Sequence, residues 1–246
     1  MSGLALNAAS LRYDNGFTAL NNVTAAFDSG SFTALVGPSG CGKSSLLRLL
    51  AGLEHPFIGS VTGLAQSDIG FVFQEPTLLA WRNVADNITL PLKIEGHNPS
   101  EIGGRLDEAL ALVGLTDFAD ALPRQLSGGM KMRVSLARAL AKRPPVLLMD
   151  EPFAALDELT RFRLDDDLRA IWQQQKCTII FVTHSVTEAA YLAERALVMQ
   201  DGEIQTEITI DQNDRDSGFR SAPAFSAACN ALSAALGHGM ETKGEA

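Results

Sequence analysis

The run GPSGCGKSS at residues 37–45 satisfies the pattern G-x-x-x-x-G-K-[ST], and its surroundings restrict what it can be. Residues 32–36 ahead of it are apolar and β-like, and SLLRLL behind it has helical character. Strand, glycine loop and helix in that order make a phosphate-binding loop. Gly37, Gly40 and Gly42 let backbone N–H groups turn inward as an anion nest, the helix start adds its positive end, and Lys43 reaches the terminal phosphates. Pro38, Ser39, Cys41 and Ser45 belong to the same nucleotide-binding stretch, and Ser44 offers its hydroxyl to Mg²⁺. The expectation is a nucleotide site on an α/β scaffold.

The chain has 246 residues, enough for one large domain or two small ones with an ample core. A net charge of -9 argues against nucleic acid or an anionic lipid surface as the main partner, because both reward basic patches. Cys41, Cys177 and Cys229 are widely spaced and lack a second cysteine or a histidine at ligand spacing, so neither zinc nor a disulfide frame is indicated. The first residues show no basic-then-apolar signal pattern, and no run approaches the roughly 20 apolar residues of a spanning helix. A role at a membrane then requires another chain to hold this one there.

Residues 4–12 and 23–27 are expected as strands around a turn at Asp14-Asn15-Gly16, an antiparallel flap ahead of the loop strand. Tyr13, at the end of the first, is either core packing or a platform for adenine, since stacking on an aromatic needs no base-specific contact. Residues 69–73 form another apolar strand that ends at Gln74, and a polar amide there points into the crevice where ligands bind a parallel sheet. Leu78, Leu79, Trp81 and Arg82 belong to an irregular apolar segment before helical spacing resumes at residue 84. Ser100 is expected to cap a helix carrying Ile102, Leu106, Ala109, Leu110 and Val113 on one stripe.

Ser127 caps a further helix whose first turn holds Gly128 and Gly129, leaving its N–H groups unshielded by side chains. Residues 146–149 are a doubly buried strand ending in Asp150 and Glu151. Paired with an upstream phosphate loop, Asp150 is expected to hold Mg²⁺ and Glu151 to polarise the attacking water. The following helix is expected to pack through Leu159, Phe162, Leu168 and Ile171, with Asp165, Asp166 and Asp167 as its solvated face. Residues 178–182 form another buried strand. Ser185 and Glu188 are expected as a capping box, which places His184 at the strand's C-terminal lip, free to reach phosphates. Asp201-Gly202 signals a hairpin, residues 211–217 a linker, and Phe225, Cys229, Leu232 and Leu236 a short amphipathic helix ending at Gly237.

Over residues 4–210 the chain resembles the ATP-binding cassette (ABC) ATPases. GPSGCGKSS matches the family's phosphate loop, Gln74 its Q-loop, LSGGM at 126–130 its signature, VLLMDE at 146–151 its Walker B strand, AALD at 154–157 its D-loop and His184 its switch histidine. Met130 stands where the general pattern has Gln, which leaves Ser127, Gly128 and Gly129 intact. The finer resemblance, through FVFQEPTLLAWRNVADNITLPL, LSGGMKMRVSLARAL and DEPFAALDELTRFRLDDDL, is to the nitrate/sulfonate/taurine import group.

The resemblance implies an α/β P-loop NTPase (RecA-like) core over residues 1–210, with an antiparallel β flap and a helical insertion near 75–143; residues 211–246 form a linker and C-terminal helix. It implies ATP and Mg²⁺, the ion held by Ser44, Gln74 and Asp150, with Tyr13 on adenine and Glu151, His184 and Gln74 serving hydrolysis. It also implies a homodimer sandwiching two ATP molecules between one copy's Lys43 and the other's signature. The further partners it implies are a separate membrane permease and, indirectly, a substrate-binding protein. The place implied is the cytoplasmic face of the inner membrane, with residues 78–82 in the permease groove or simply packing the insertion. GTPases and small-molecule kinases share the opening loop, but no Asn-Lys-x-Asp motif occurs. An ABC ATPase of a soluble machine is the remaining alternative.

Overall fold

The computed structural model describes residues 3–63, 68–210 and 218–241. In chain order the elements are β1 (Leu4–Arg12), β2 (Thr18–Phe27), β3 (Phe32–Val36), α1 (Lys43–Leu50), β4 (Ile58–Thr62), β5 (Ile69–Val72), α2 (Val84–Ile94), α3 (Pro99–Leu112) and α4 (Gly128–Leu140). There follow β6 (Val146–Asp150), α5 (Glu158–Gln175), β7 (Thr178–Val182), α6 (Val186–Leu192), β8 (Arg195–Gln200), β9 (Glu203–Thr209) and α7 (Pro223–Glu241). They divide into two compact units, Met1–Ser67 with Thr178–Ala246, and Asp68–Cys177.

In the first unit every residue of β3 is buried, because β7 and β8 flank it in parallel, with Leu35 opposite both Val182 and Leu197. Such strands read as unbroken apolar runs, and Phe32, Leu35 and Val36 each contribute about 1.5–3 kcal/mol by leaving water. β8 turns at Asp201-Gly202 into antiparallel β9. The expected flap is present as the antiparallel order β2-β1-β4, and Gly16, at φ 83°, makes the turn between its first two strands.

The C-terminal helix is longer than its apolar spacing indicates. α7 runs through Gly237 to Glu241, because a glycine with ordinary φ only weakens a helix, by about 1 kcal/mol, and does not end it. Its inner side holds buried Leu232 and Phe225, which meets Phe219 edge-on at 5.7 Å. Phe219 in turn lies 6.2 Å from Tyr191 of α6. The linker expected at residues 211–217 lies outside the described residues.

In the second unit β5 and β6 are parallel, with Val72 opposite Met149. Gly70 lets α4 approach closely: a Cβ there would stand 3.1 Å from the Ala139 carbonyl oxygen and 2.9 Å from the Pro144 ring. Three local expectations are corrected here. Asn98, not Ser100, caps α3 by accepting the Glu101 N–H at 2.9 Å; Pro99 takes the first helical position, where no N–H is needed. Leu159 is exposed on α5, while Asp165 is buried. Asp167 pairs with Arg133 at 2.6 Å, so of the acidic run only Asp166 is a fully exposed residue. The buried stripe of α5 follows Leu164, Asp165, Leu168, Arg169 and Ile171, and a stripe that carries charge is invisible to apolar spacing alone. Burial holds the Asp167 carboxyl above its ordinary range, opposed by Arg133.

Candidate nucleotide site

Residues 37–42 link the C-terminal end of β3 to α1. Gly37, Gly40 and Gly42 have φ of 155°, 80° and 104°. A Cβ at Gly37 would overlap the Met199 carbonyl oxygen, and one at Gly42 would stand 2.5 Å from that of Ala19. Gly40 faces open space, so conformation alone demands glycine there. The hairpin tip supports the loop from outside: the Gly202 N–H donates to the Cys41 carbonyl at 3.1 Å, and the Gly202 carbonyl accepts from the Asn21 N–H at 2.9 Å. The Asp-Gly pair shows a turn in the sequence; its place beneath a loop 160 residues earlier has no local signal.

Lys43 is only 4% exposed. Its ammonium donates to the carbonyls of Gly37 and Pro38, both at 2.9 Å, and faces the Cys41 sulfur at 3.8 Å. A buried lysine keeps its charge only among acceptors, and these fix it against the loop. Burial pushes the Cys41 thiol up, and the neighbouring Lys43 partly offsets the shift. Ser44 and Ser45 are half-buried in the first turn of α1. The hydroxyls of Ser45 and Tyr13 are 3.0 Å apart, so the Tyr13 ring, half-buried, stands beside the start of that helix.

His184 follows β7 and is exposed. The expected capping box is only half present. The Ser185 hydroxyl accepts the Glu188 N–H at 3.2 Å, but the Glu188 carboxylate takes the Thr183 hydroxyl, and that hydroxyl accepts the Ser185 N–H at 2.9 Å. Thr183 also donates its N–H to the Leu35 carbonyl at 3.2 Å. The turn carrying His184 is thereby tied to β3 two residues before Gly37, at the end where the loop begins. Glu188 is a support that the capping pattern assigned differently, and Thr183 is one that it did not name.

In the second unit Gln74 lies two residues beyond β5, and Asp150 and Glu151 close β6. The parallel register therefore brings all three out at one end of the pair. Glu151 has φ 47°, a left-handed conformation that costs a non-glycine residue about 1–3 kcal/mol and clusters at functional sites. Ser127 caps α4 by accepting the Met130 N–H at 3.3 Å, leaving an exposed helix start at Ser127 and Gly128. Gly129 is buried, and a Cβ there would come within 2.8 Å of the Thr160 methyl. Thr160 belongs to the first turn of α5, capped by Asp157 at 3.0 Å; its N–H holds the Asp157 carboxyl below the ordinary range.

The first unit thus offers a glycine nest with a buried ammonium and hydroxyls, and the second offers strand-end carboxylates and an open helix start. Backbone N–H groups, an ammonium and a hydroxyl suit phosphate, and oxygen donors suit Mg²⁺. Known proteins similar to this chain fall in one family. A family model described as ABC transporter matches residues 20–154. An ATP-binding protein of Brucella abortus is 42% identical over 245 residues, covering 96% of this chain and 94% of its own. The aliphatic sulfonates import ATP-binding protein SsuB of Escherichia coli is 45% identical over 214 residues, 85% of this chain and 81% of that protein. The nitrate import ATP-binding protein NrtD of Synechocystis is 45% identical over 201 residues, 78% and 76% of the two chains. Among solved structures, an ATP-binding cassette in a dimeric post-hydrolysis state with ADP and Pi superposes with a TM-score of 0.76 at 32% identity, over 85% of this chain and 99% of that one. The chain belongs to the ABC transporter family and is an ATP hydrolase with the P-loop cassette fold of that family.

Proposed function

We propose that the chain is the ATP-hydrolysing subunit of an importer. It would couple closure of an ATP-sandwich homodimer to uptake of a small polar solute, of nitrate, sulfonate, taurine or thiamine-precursor type, through a separate permease. Residues 1–210 would form the ATPase domain, with residues 75–143 as its helical part and 211–246 as an appendage. The observation that carries the sandwich is the exposed, capped start of α4 at Ser127 and Gly128. It is a second anion-binding helix end in a chain that already has its phosphate loop. The names of SsuB and NrtD support import.

In this reading the residues of 37–45 wrap the phosphates, Lys43 neutralises their terminal charge, and the Tyr13 ring stacks on adenine. Bound Mg²⁺ would supply positive charge against that developing on the phosphates. Ser44, Gln74 and Asp150 would hold it. Glu151 orients and polarises the attacking water and His184 stabilises the terminal phosphate, while Ser127, Gly128 and Gly129 complete the partner copy's ATP. Hydrolysis then lets the dimer reopen. Among the described residues no helix is long and apolar enough to cross a membrane, which fits a peripheral subunit on the cytoplasmic face of the inner membrane. A substrate-binding protein would deliver the solute from the other side.

Two measurements test this. Lys43→Ala should weaken ATP binding in calorimetry, and unchanged affinity refutes the loop's role. Proteoliposomes containing the chain and a permease that co-purifies with it should take up sulfonate, taurine or nitrate only with ATP inside. ATP turnover that no membrane partner stimulates would favour a soluble machine.

A further inference from the structure

The roles above leave a polar clamp in the second unit unused. Between Gln74 and α2 the chain has no regular secondary structure, yet side chains from two helices grip it. From α4, the guanidinium of Arg138 donates to the Thr77 carbonyl at 2.9 Å, the Pro76 carbonyl at 2.9 Å and the Thr77 hydroxyl at 3.0 Å. From α2, fully buried Asn87 accepts the Leu79 N–H at 2.7 Å. Its amide faces the carbonyls of Leu79, Arg82 and Asn83 at 3.2, 3.1 and 2.9 Å. Thr77 sits at φ 45°, a conformation that a β-branched residue keeps only when its surroundings over-determine it. The planar fork of Arg138 supplies that constraint, because two carbonyls and a hydroxyl accept in one fixed geometry.

We propose that Arg138 and Asn87 are positioning residues that make residues 76–83, Trp81 included, a rigid strap driven by the helix that Ser127 opens. The inference rests on the sandwich reading above and adds the link it lacks. Arg138 lies eleven residues beyond Ser127, about 16 Å along the helix axis at 1.5 Å per residue. A tilt of α4 on meeting the partner's ATP therefore carries the Pro76 and Thr77 carbonyls with it. Asn87 keeps residues 79–83 in register, so the displacement arrives at Trp81, which is 75% exposed. α2 itself packs on α4, and the fork adds the direct tie that holds residues 76 and 77 to α4.

The chain has two tryptophans, Trp81 and Trp172, so Trp172→Phe leaves Trp81 as the only indole reporter. In the full-length Trp172→Phe/Glu151→Gln protein, MgATP should dimerise the chain, followed by light scattering, and shift the Trp81 emission and anisotropy. Adding Arg138→Ala should abolish most of that shift while dimerisation persists. Arg138→Lys retains the charge and stem, so it guards against a variant that does not fold; it reaches one carbonyl rather than two and should lose more than half of the shift. A merely structural role would lower the melting temperature without separating Trp81 from ATP. A full Trp81 response in either folded variant overturns the proposal, and so does a silent Trp81 in an Arg138 parent that dimerises. A parent that does not dimerise with MgATP overturns the sandwich reading instead, and the clamp's transmitting role with it.

Discussion

Gly40 and Gly42 offer a test of the loop in which two chemically identical substitutions should differ, because the structure gives them different obstacles. At Gly40 φ is 80° and a Cβ would meet nothing within 4 Å. Gly40→Ala therefore carries only the left-handed penalty of about 1–2 kcal/mol, or roughly 5–30-fold in ATP affinity if the strain falls on the bound loop. At Gly42 φ is 104°, and the Cβ would stand 2.5 Å from the Ala19 carbonyl oxygen and 3.0 Å from a Leu20 methyl. A backbone carbonyl of β2 cannot swing aside as a side-chain end can. Gly42→Ala adds an overpacking cost of about 1–3 kcal/mol to the conformational one, for a total near 2–5 kcal/mol and a loss of affinity from about 30-fold to several thousand-fold. Gly42 is also the N-cap of α1, so its displacement turns the first N–H groups of that helix away from a phosphate. Calorimetric titration with MgATP on both variants, with melting curves to confirm folding, separates the cases. Equal losses, or a larger loss for Gly40→Ala, would refute the steric account of the loop.

Other consequences are simpler to state. Glu151→Gln should bind ATP normally, accumulate as a dimer and lose nearly all turnover; hydrolysis at the parental rate removes Glu151 from the role of base. Trp81→Ala should leave the isolated subunit's ATPase intact and abolish ATP-driven uptake in the assembled complex, and normal uptake would exclude residues 78–82 from the permease groove. Cys41 should resist iodoacetamide at neutral pH, because burial holds its thiol above the ordinary range and the thiolate is the nucleophile. Its alkylation should accelerate only at a pH higher than an ordinary thiol needs. Lys43→Ala removes a favourable charge and should slow the reaction further, and rapid labelling at pH 7, read by mass spectrometry, contradicts the burial.

What the sequence could and could not announce follows from how far apart the cooperating atoms are along the chain. The nest of residues 37–42 needs consecutive N–H groups, so its pattern is contiguous and visible. The doubly buried strands β3, β6 and β7 are visible for the same reason, as is the Ser127 cap, whose partner Met130 is three residues away. Supports that cross the chain left no such trace: Gly202 under Cys41, Thr183 on Leu35 and Arg138 on Pro76 join residues between 60 and 165 positions apart. Asp165 shows the converse failure, since a local charge run suggested solvent and tertiary packing buried it.

The same distinction bears on how the protein works. Contiguous motifs can bind phosphate, but binding moves nothing unless a rigid element carries the displacement to a distant surface. The carriers are therefore to be sought among long-range, fully satisfied polar contacts to irregular backbone. Arg138 meets that description through the carbonyls of Pro76 and Thr77, and Asn87 secures the rest of the segment locally through those of Leu79, Arg82 and Asn83. A loop left to solvent would absorb a tilt of α4 in its own torsions, whereas one pinned at both ends has to move with the helix.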